Sequence, residues 1–172
     1  VIPMLNFISP EAKRIGAVNT VKIENGKLLG YNTDYHGFGA MLERHDIDPY
    51  GKRILIFGSG GVSRAVIAYL IDNGARSISV TGRNIEAIRA LKEQFTDIKI
   101  QNEVELEGDI AINCTPVGMY PNVNESIAGI ELIRNYSILI DMIYNPFETR
   151  FLKIGSQIGL KSVNGLYMLV EQ

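Results

Sequence analysis

Long apolar runs are missing from this sequence. No stretch reaches the roughly 18 consecutive apolar residues of a membrane-spanning helix, so no membrane partner is expected. Cysteine is nearly missing too. Cys114 is the single one, so no intrachain disulfide can form, and this usage fits a reducing cytoplasm. Neither charge sign dominates: 17 Lys and Arg against 19 Asp and Glu leave a net charge of -2. Such a balance gives no general attraction to nucleic acid or anionic lipid, although a few local cations suffice to hold a phosphate. The first residues lack a basic region followed by an apolar one, so no signal peptide is expected. The chain starts at Val1 without an initiator Met, which raises the expectation of a processed or truncated product. Internal repeats and low-complexity segments are absent. His36 and His45 have no partner pattern, and no metal site is expected.

What remains is ordinary globular material. The 172 residues are 46% hydrophobic and 21% charged, enough for one full core. Residues 17–24 alternate toward strand, with Val18, Val21 and Ile23; Asn25-Gly26 is a two-residue turn signal, and residues 27–31 return as a second strand. A helix is expected from about Gly37 to Arg44, then a polar turn over residues 46–51 carrying Pro49. From there strands and helices alternate. Strands are expected at residues 53–57, 77–81, 98–101, 109–114, 137–141 and 161–163; helices at 62–72 (closed by Asn73-Gly74), at 84–95 with Asn84 as N-cap, and from near Gly165. Asn145-Pro146 is expected to end a loop before a further helix. This order predicts an α/β fold: a Rossmann-type, doubly wound, mostly parallel sheet covered on both faces.

Gly58-Ser59-Gly60-Gly61-Val62-Ser63 lies between a predicted strand and a predicted helix, the context that turns a weak glycine pattern into a dinucleotide fingerprint. Gly58 permits the tight turn, and Gly60 lets the backbone approach a pyrophosphate. Ser63 stands where a Gly or Ala usually packs helix against strand. The free N–H groups and dipole of the new helix favour phosphate; a plain glycine turn is the alternative. At the end of the next strand, Val80-Thr81-Gly82-Arg83-Asn84 carries no acid until Glu86. An NAD site usually has an acid there for the ribose hydroxyls, whereas Arg83 suits a 2′-phosphate. NADP is therefore the expected cofactor, the alternative being that Arg83 is an ordinary solvated arginine.

Five strings carry a family resemblance: Gly16-Ala17-Val18-Asn19-Thr20; Gly30-Tyr31-Asn32-Thr33-Asp34 with Gly37; Asn113-Cys114-Thr115-Pro116-Val117-Gly118-Met119; Asp141-Met142-Ile143-Tyr144-Asn145-Pro146 with Thr149; and Gly165 to Gln172 with Met168 and Leu169. Together with the glycine turn, they resemble the shikimate dehydrogenase family over nearly the whole chain, in the family's order. The resemblance implies NADP-dependent, reversible reduction of 3-dehydroshikimate to shikimate, in aromatic amino-acid and chorismate biosynthesis in the cytoplasm. Other readings are a quinate/shikimate dehydrogenase using NAD and a nucleotide-binding module without catalysis. The expected partner is a small-molecule substrate, with a homodimer open and no nucleic acid.

The resemblance also implies roles. Asn19, Asp34, Tyr144 and Gln172 bind substrate, and Asp34 sits at the reacting hydroxyl as a catalytic residue. Gly58, Ser59, Gly60, Gly61 and Val62 hold the pyrophosphate. Gly82, Arg83 and Asn84 surround the 2′-phosphate, where Gly82 and Asn84 depart from the family's usual Asn and Thr. Met142 and Gly165 line the nicotinamide pocket, with Met119 near it. From the residues alone, Asn19 and Asn32 also read as turn residues, Asp34 as an N-cap, Tyr144 and Met142 as core, and Cys114 as a small buried hydrophobe. The family's lysine, in a V-T-x-P-x-K motif, and two carboxylate-binding serines are expected upstream of Val1, and a final helix beyond Gln172. The domain division expected is residues 1–33 as a remnant of the substrate domain, 34–165 as the NADP-binding domain and 166–172 as the start of a helix returning to the substrate domain. The fragment itself is expected to be inactive, with Gln172 frayed and residues 1–15 disordered or self-associating.

Overall fold

The computed structural model describes residues 2–96, 100–101 and 106–172. A 3-10 turn at Ile2–Met4 precedes β1 (Phe7–Ile8), α1 (Pro10–Ile15), β2 (Thr20–Glu24), β3 (Lys27–Tyr31) and α2 (Thr33–Arg44). Then come β4 (Arg53–Phe57), α3 (Gly61–Asp72), β5 (Ser77–Thr81), α4 (Ile85–Gln94), β6 (Ile100–Gln101) and β7 (Ile110–Asn113). The chain closes with α5 (Ile130–Ile133), β8 (Ile138–Asp141), α6 (Arg150–Gln157), β9 (Lys161–Asn164) and α7 (Leu166–Val170). The expected strand at 98–101 is β6 in its second half; residues 97–99, with Ile98, lie outside the described residues.

Short apolar runs form the main sheet. Its order is β6-β5-β4-β7-β8-β9, parallel throughout. The strand sequence runs outward both ways from β4, the dinucleotide-binding order, so a crevice opens between the carboxyl ends of β4 and β7 where the winding reverses. Alternation along each strand feeds two cores. Ile54, Ile56, Ile78, Val80, Ile110, Ile112 and Ile140 pack with α2, α3 and α4, while Leu55, Phe57, Ala111 and Leu139 pack with Ile133, Phe151 and Leu152 of α5 and α6. Among the described residues no helix is long and apolar enough to cross a membrane.

A smaller sheet, β1-β3-β2, precedes this unit. β2 is exposed at every position, so the Val21–Ile23 alternation marks a strand without marking a buried face. Residues 2–15, the stretch expected to be disordered or self-associating, carry the 3-10 turn, β1 and α1. Ser9 Oγ accepts from the Ala12 N–H at 3.2 Å, and Pro10 begins the helix where its missing N–H costs nothing. Ala12 and Ile15 are buried.

Two expectations about α2 are corrected. It starts at Thr33, a full turn before Gly37. Gly37 is there for packing: a Cβ on it would stand 2.7 Å from the Met168 carbonyl oxygen of α7. Nor is Asp34 the N-cap. Asn32 holds that position without a side-chain cap bond, and the Thr33 N–H is taken instead by Asn19 Oδ1 at 2.9 Å.

Candidate active site

The glycine turn lies at the carboxyl end of β4. Gly58 has φ 106°, and a Cβ there would stand 3.0 Å from Thr115 and 3.1 Å from the Cys114 carbonyl oxygen, so the turn runs tight against the loop after β7. Gly60 is the N-cap of α3 and offers no side chain to its amides. Nothing lies within 4 Å of the space a Cβ would fill on Gly60 or Gly61. The first N–H groups of α3 are thus left for an external acceptor. Ser63 is fully buried in α3, as its packing position in the fingerprint requires.

Gly58, Ser59 and Gly60 wall a cleft of about 820 Å³ with Thr81, Gly82, Arg83 and Asn84. Arg83 is exposed on that rim, and among the described residues no carboxylate pairs with it. Asn84 has a structural duty, since its Oδ1 accepts from the Ala87 N–H at 3.0 Å and caps α4. Gly82 lies beside the glycine turn: a Cβ on it would meet the Gly58 Cα at 3.7 Å, an ordinary contact.

A second cavity, of about 300 Å³, is lined by Val62, Met142, Ile143, Tyr144 and Asn145. Cys114, Thr115, Pro116, Met119 and Tyr120 line both spaces and join them. Val62 therefore faces the smaller cavity, while Gly61 lines neither. Tyr144 is 50% exposed, which rules out the core alternative for it; Met142 is half-buried against the core. Gly165 stands behind the cavity wall, where a Cβ would be 2.2 Å from the Met142 carbonyl oxygen. Its absent side chain lets the loops after β8 and β9 touch. Burial pushes the Cys114 thiol up to about 12, against the opposing pull of the Ser63 hydroxyl.

Between these spaces and the core lies a polar network to which sequence reasoning gave no role. Asp141, the last residue of β8, is fully buried. Its Oδ1 accepts from Asn113 Nδ2 and from the Ile143 N–H, both at 3.0 Å, and its Oδ2 from the Thr149 hydroxyl at 2.7 Å. Burial pushes its carboxyl up to about 6, and these three donors pull it back, Thr149 most. The strings N-x-T and D-x-x-Y-N-P-x-x-T held the only signal. Their side chains meet because β7 and β8 are neighbours in register, Asn113 beside Asp141.

Asn19, Asp34 and Gln172 form a separate cluster, outside the walls of both cavities. Gln172 Nε2 donates to Asp34 Oδ1 at 2.5 Å, so the expected fraying of this residue gives way to a bond across the α2–α7 contact. Asn19 bonds Asp34 as well, and its Oδ1 also accepts from the Thr20 and Thr33 hydroxyls, each at 3.2 Å. Burial raises the Asp34 carboxyl, with Asn19 and Gln172 acting in the opposite direction. Tyr144 stands apart from this cluster, on the smaller cavity.

Residues 53–145 match the family model described as NADP oxidoreductase coenzyme F420-dependent. Over its whole length the chain is 47% identical to a shikimate dehydrogenase (NADP(+)) of Clostridium beijerinckii, of which it covers 64%. The structure resembles a chorismate mutase/shikimate 5-dehydrogenase fusion protein of Clostridium acetobutylicum, with TM-score 0.89, 44% identity, and coverage of 99% of this chain and 62% of that one. It also resembles the shikimate 5-dehydrogenase of Thermus thermophilus in complex with NADP(H) and shikimate, with TM-score 0.87, 36% identity, and coverage of 99% and 64%. The chain thus spans a little under two thirds of these relatives. Through residues 53–145 it belongs to the family described as NADP oxidoreductase coenzyme F420-dependent, and along its full length it is similar to shikimate dehydrogenases.

Proposed function

We propose that this chain is the NADP-binding part of an enzyme that reversibly reduces 3-dehydroshikimate to shikimate. Arg83 carries this reading: an exposed guanidinium with no carboxylate partner among the described residues, on the cleft walled by Gly58–Gly60. The glycine turn and the amides of α3 fit a pyrophosphate, and Arg83 fits a 2′-phosphate with bidentate geometry. No acid stands between Thr81 and Ile85, which weighs against NAD. Gly82 and Asn84 shape the turn around Arg83. Val62, Met142 and Tyr144 line the smaller cavity, where the nicotinamide would lie, with Gly165 holding its wall. NADP, when bound there, supplies the hydride acceptor for a secondary alcohol.

The substrate side rests on Asn19, Asp34, Tyr144 and Gln172. Asn19 and Gln172 hold the Asp34 carboxylate by hydrogen bonds, leaving it oriented to accept one from the reacting hydroxyl. Burial brings it nearer to a useful proton acceptor than an exposed Asp at about 3.9. Full proton removal is assigned to the lysine of V-T-x-P-x-K, a motif this sequence does not contain. In this reading residues 1–33 and 166–172 belong to the substrate side and 34–165 form the cofactor domain. The relatives named for this reaction support it, since they match the whole chain.

Shikimate-dependent NADPH formation tests the proposal. The 172-residue chain is expected to bind NADPH with negligible turnover, and a longer chain carrying V-T-x-P-x-K upstream to turn over. Equal rates in the two would place the base within these residues and overturn the assignment.

A further inference from the structure

We propose that Asp141 is a positioning residue: its buried carboxylate orients the Asn113 amide and so sets the walls shared by the two cavities. This rests on the dinucleotide reading of the cleft. Three loops converge on the one carboxylate. Asn113 Nδ2 brings in the loop after β7, the Ile143 N–H the loop after β8, and the Thr149 hydroxyl the start of α6. The first two loops supply Thr115, Pro116, Met142 and Tyr144 to the smaller cavity.

The Asn113 amide is the lever. Its Oδ1 accepts from both the N–H and the hydroxyl of Thr115, at 3.0 and 2.7 Å. Its Nδ2 donates to Asp141 and to the Val117 carbonyl at 3.2 Å. An amide can turn over and exchange its oxygen and nitrogen. Turned over, it would present N–H to the Thr115 N–H and oxygen to the Val117 carbonyl, and the loop after β7 would lose its anchor. A carboxylate, which only accepts, admits one orientation alone. An amide in its place could donate as well as accept, and would no longer dictate which end of the Asn113 amide faces it.

A bare structural duty accounts for this poorly. Among the described residues no Lys, Arg or His pairs with Asp141, whose partners are neutral. An unpaired buried charge costs stability, and a fold needing only filled space is served as well or better by neutral or apolar groups. The arrangement gains a single orientation for a cleft wall. The first cleft, toward Arg83, is bounded on its far side by Gly58–Gly60 and β5, which Asp141 does not touch. Its influence should therefore fall on the end away from Arg83.

Two ligands separate the ends: NADPH, which would fill both, and adenosine 2′,5′-bisphosphate, which would fill only the Arg83 end. Both are titrated by calorimetry against the chain, Asp141→Asn, Thr149→Val and Thr149→Ser. Asp141→Asn is expected to weaken NADPH about tenfold relative to adenosine 2′,5′-bisphosphate, the scale of one hydrogen bond to a charged group. Thr149→Val should shift the ratio the same way, and Thr149→Ser, which keeps the hydroxyl, should restore it. An unchanged ratio, or equal weakening of both ligands, overturns the inference, because loss of fold or stability would affect both alike. Failure of the starting chain to bind either ligand overturns the dinucleotide reading and this inference with it. Tight binding of adenosine 2′,5′-bisphosphate with an unmoved ratio overturns the inference alone.

Discussion

Asp141 also fixes how stability should change with pH. Its carboxyl stands at about 6 in the folded chain against 3.8 for the group in isolation. Because the folded value is raised, the native state holds a proton that the unfolded state has already released between these two values. Stability therefore falls as pH rises through this window. Below about 4 both states are protonated, and the group contributes nothing. Above about 6 both are ionised, and the full penalty of a buried carboxylate is in force. A difference of about two pKa units at 1.36 kcal/mol each is on the order of 3 kcal/mol. The Asp141→Asn variant removes the titration while keeping the shape. Urea denaturation of both proteins at several pH values from 4 to 7.5 gives the difference in unfolding free energy, in which all other titrating groups cancel, Asp34 included. Relative to the variant, the starting protein should lose on the order of 3 kcal/mol across this range. A difference independent of pH would show that Asp141 is solvated or paired in a way the hydrogen bonds to Asn113, Ile143 and Thr149 do not describe.

Two further substitutions follow from close approach and open space. Gly60→Val adds a side chain where nothing of the protein lies within 4 Å, so far-UV circular dichroism should be unchanged while NADPH binding is lost; retained binding would place the phosphates elsewhere. Gly165→Ala forces a methyl to within 2.2 Å of the Met142 carbonyl oxygen, so it should destabilise by about 1–3 kcal/mol or more as the loops after β8 and β9 separate. An unchanged thermal midpoint would refute that contact.

Much of the fold was legible because the informative signals are local. The apolar runs of β4, β5, β7 and β8 and the glycine turn each announce themselves within a few residues, and their order implies the parallel sheet. Short elements were not legible. β1 has two residues and α5 four, too few for a periodic pattern to develop. The expected start of α2 at Gly37 falls a turn late, and the reason for a glycine there lies in α7, at Met168. The site divides in the same way. The turn and Arg83 could be read from charge and spacing. Asp34 and Gln172, 138 positions apart, came together only through the family resemblance. The Asp141 network had letters but no roles, since its partners meet through sheet register and not through sequence proximity.

The cleft between Gly58–Gly60 and Arg83 is the proposed seat of NADP. Calorimetric titration of NADP and NAD against the chain, repeated with Arg83→Ala, tests it most directly. NADP should bind the starting protein more tightly, and the substitution should erase most of that preference, on the order of 1.5–3 kcal/mol for a charge-assisted bond. Equal affinity for the two cofactors in the starting protein, or a preference that survives Arg83→Ala, would remove the 2′-phosphate from Arg83.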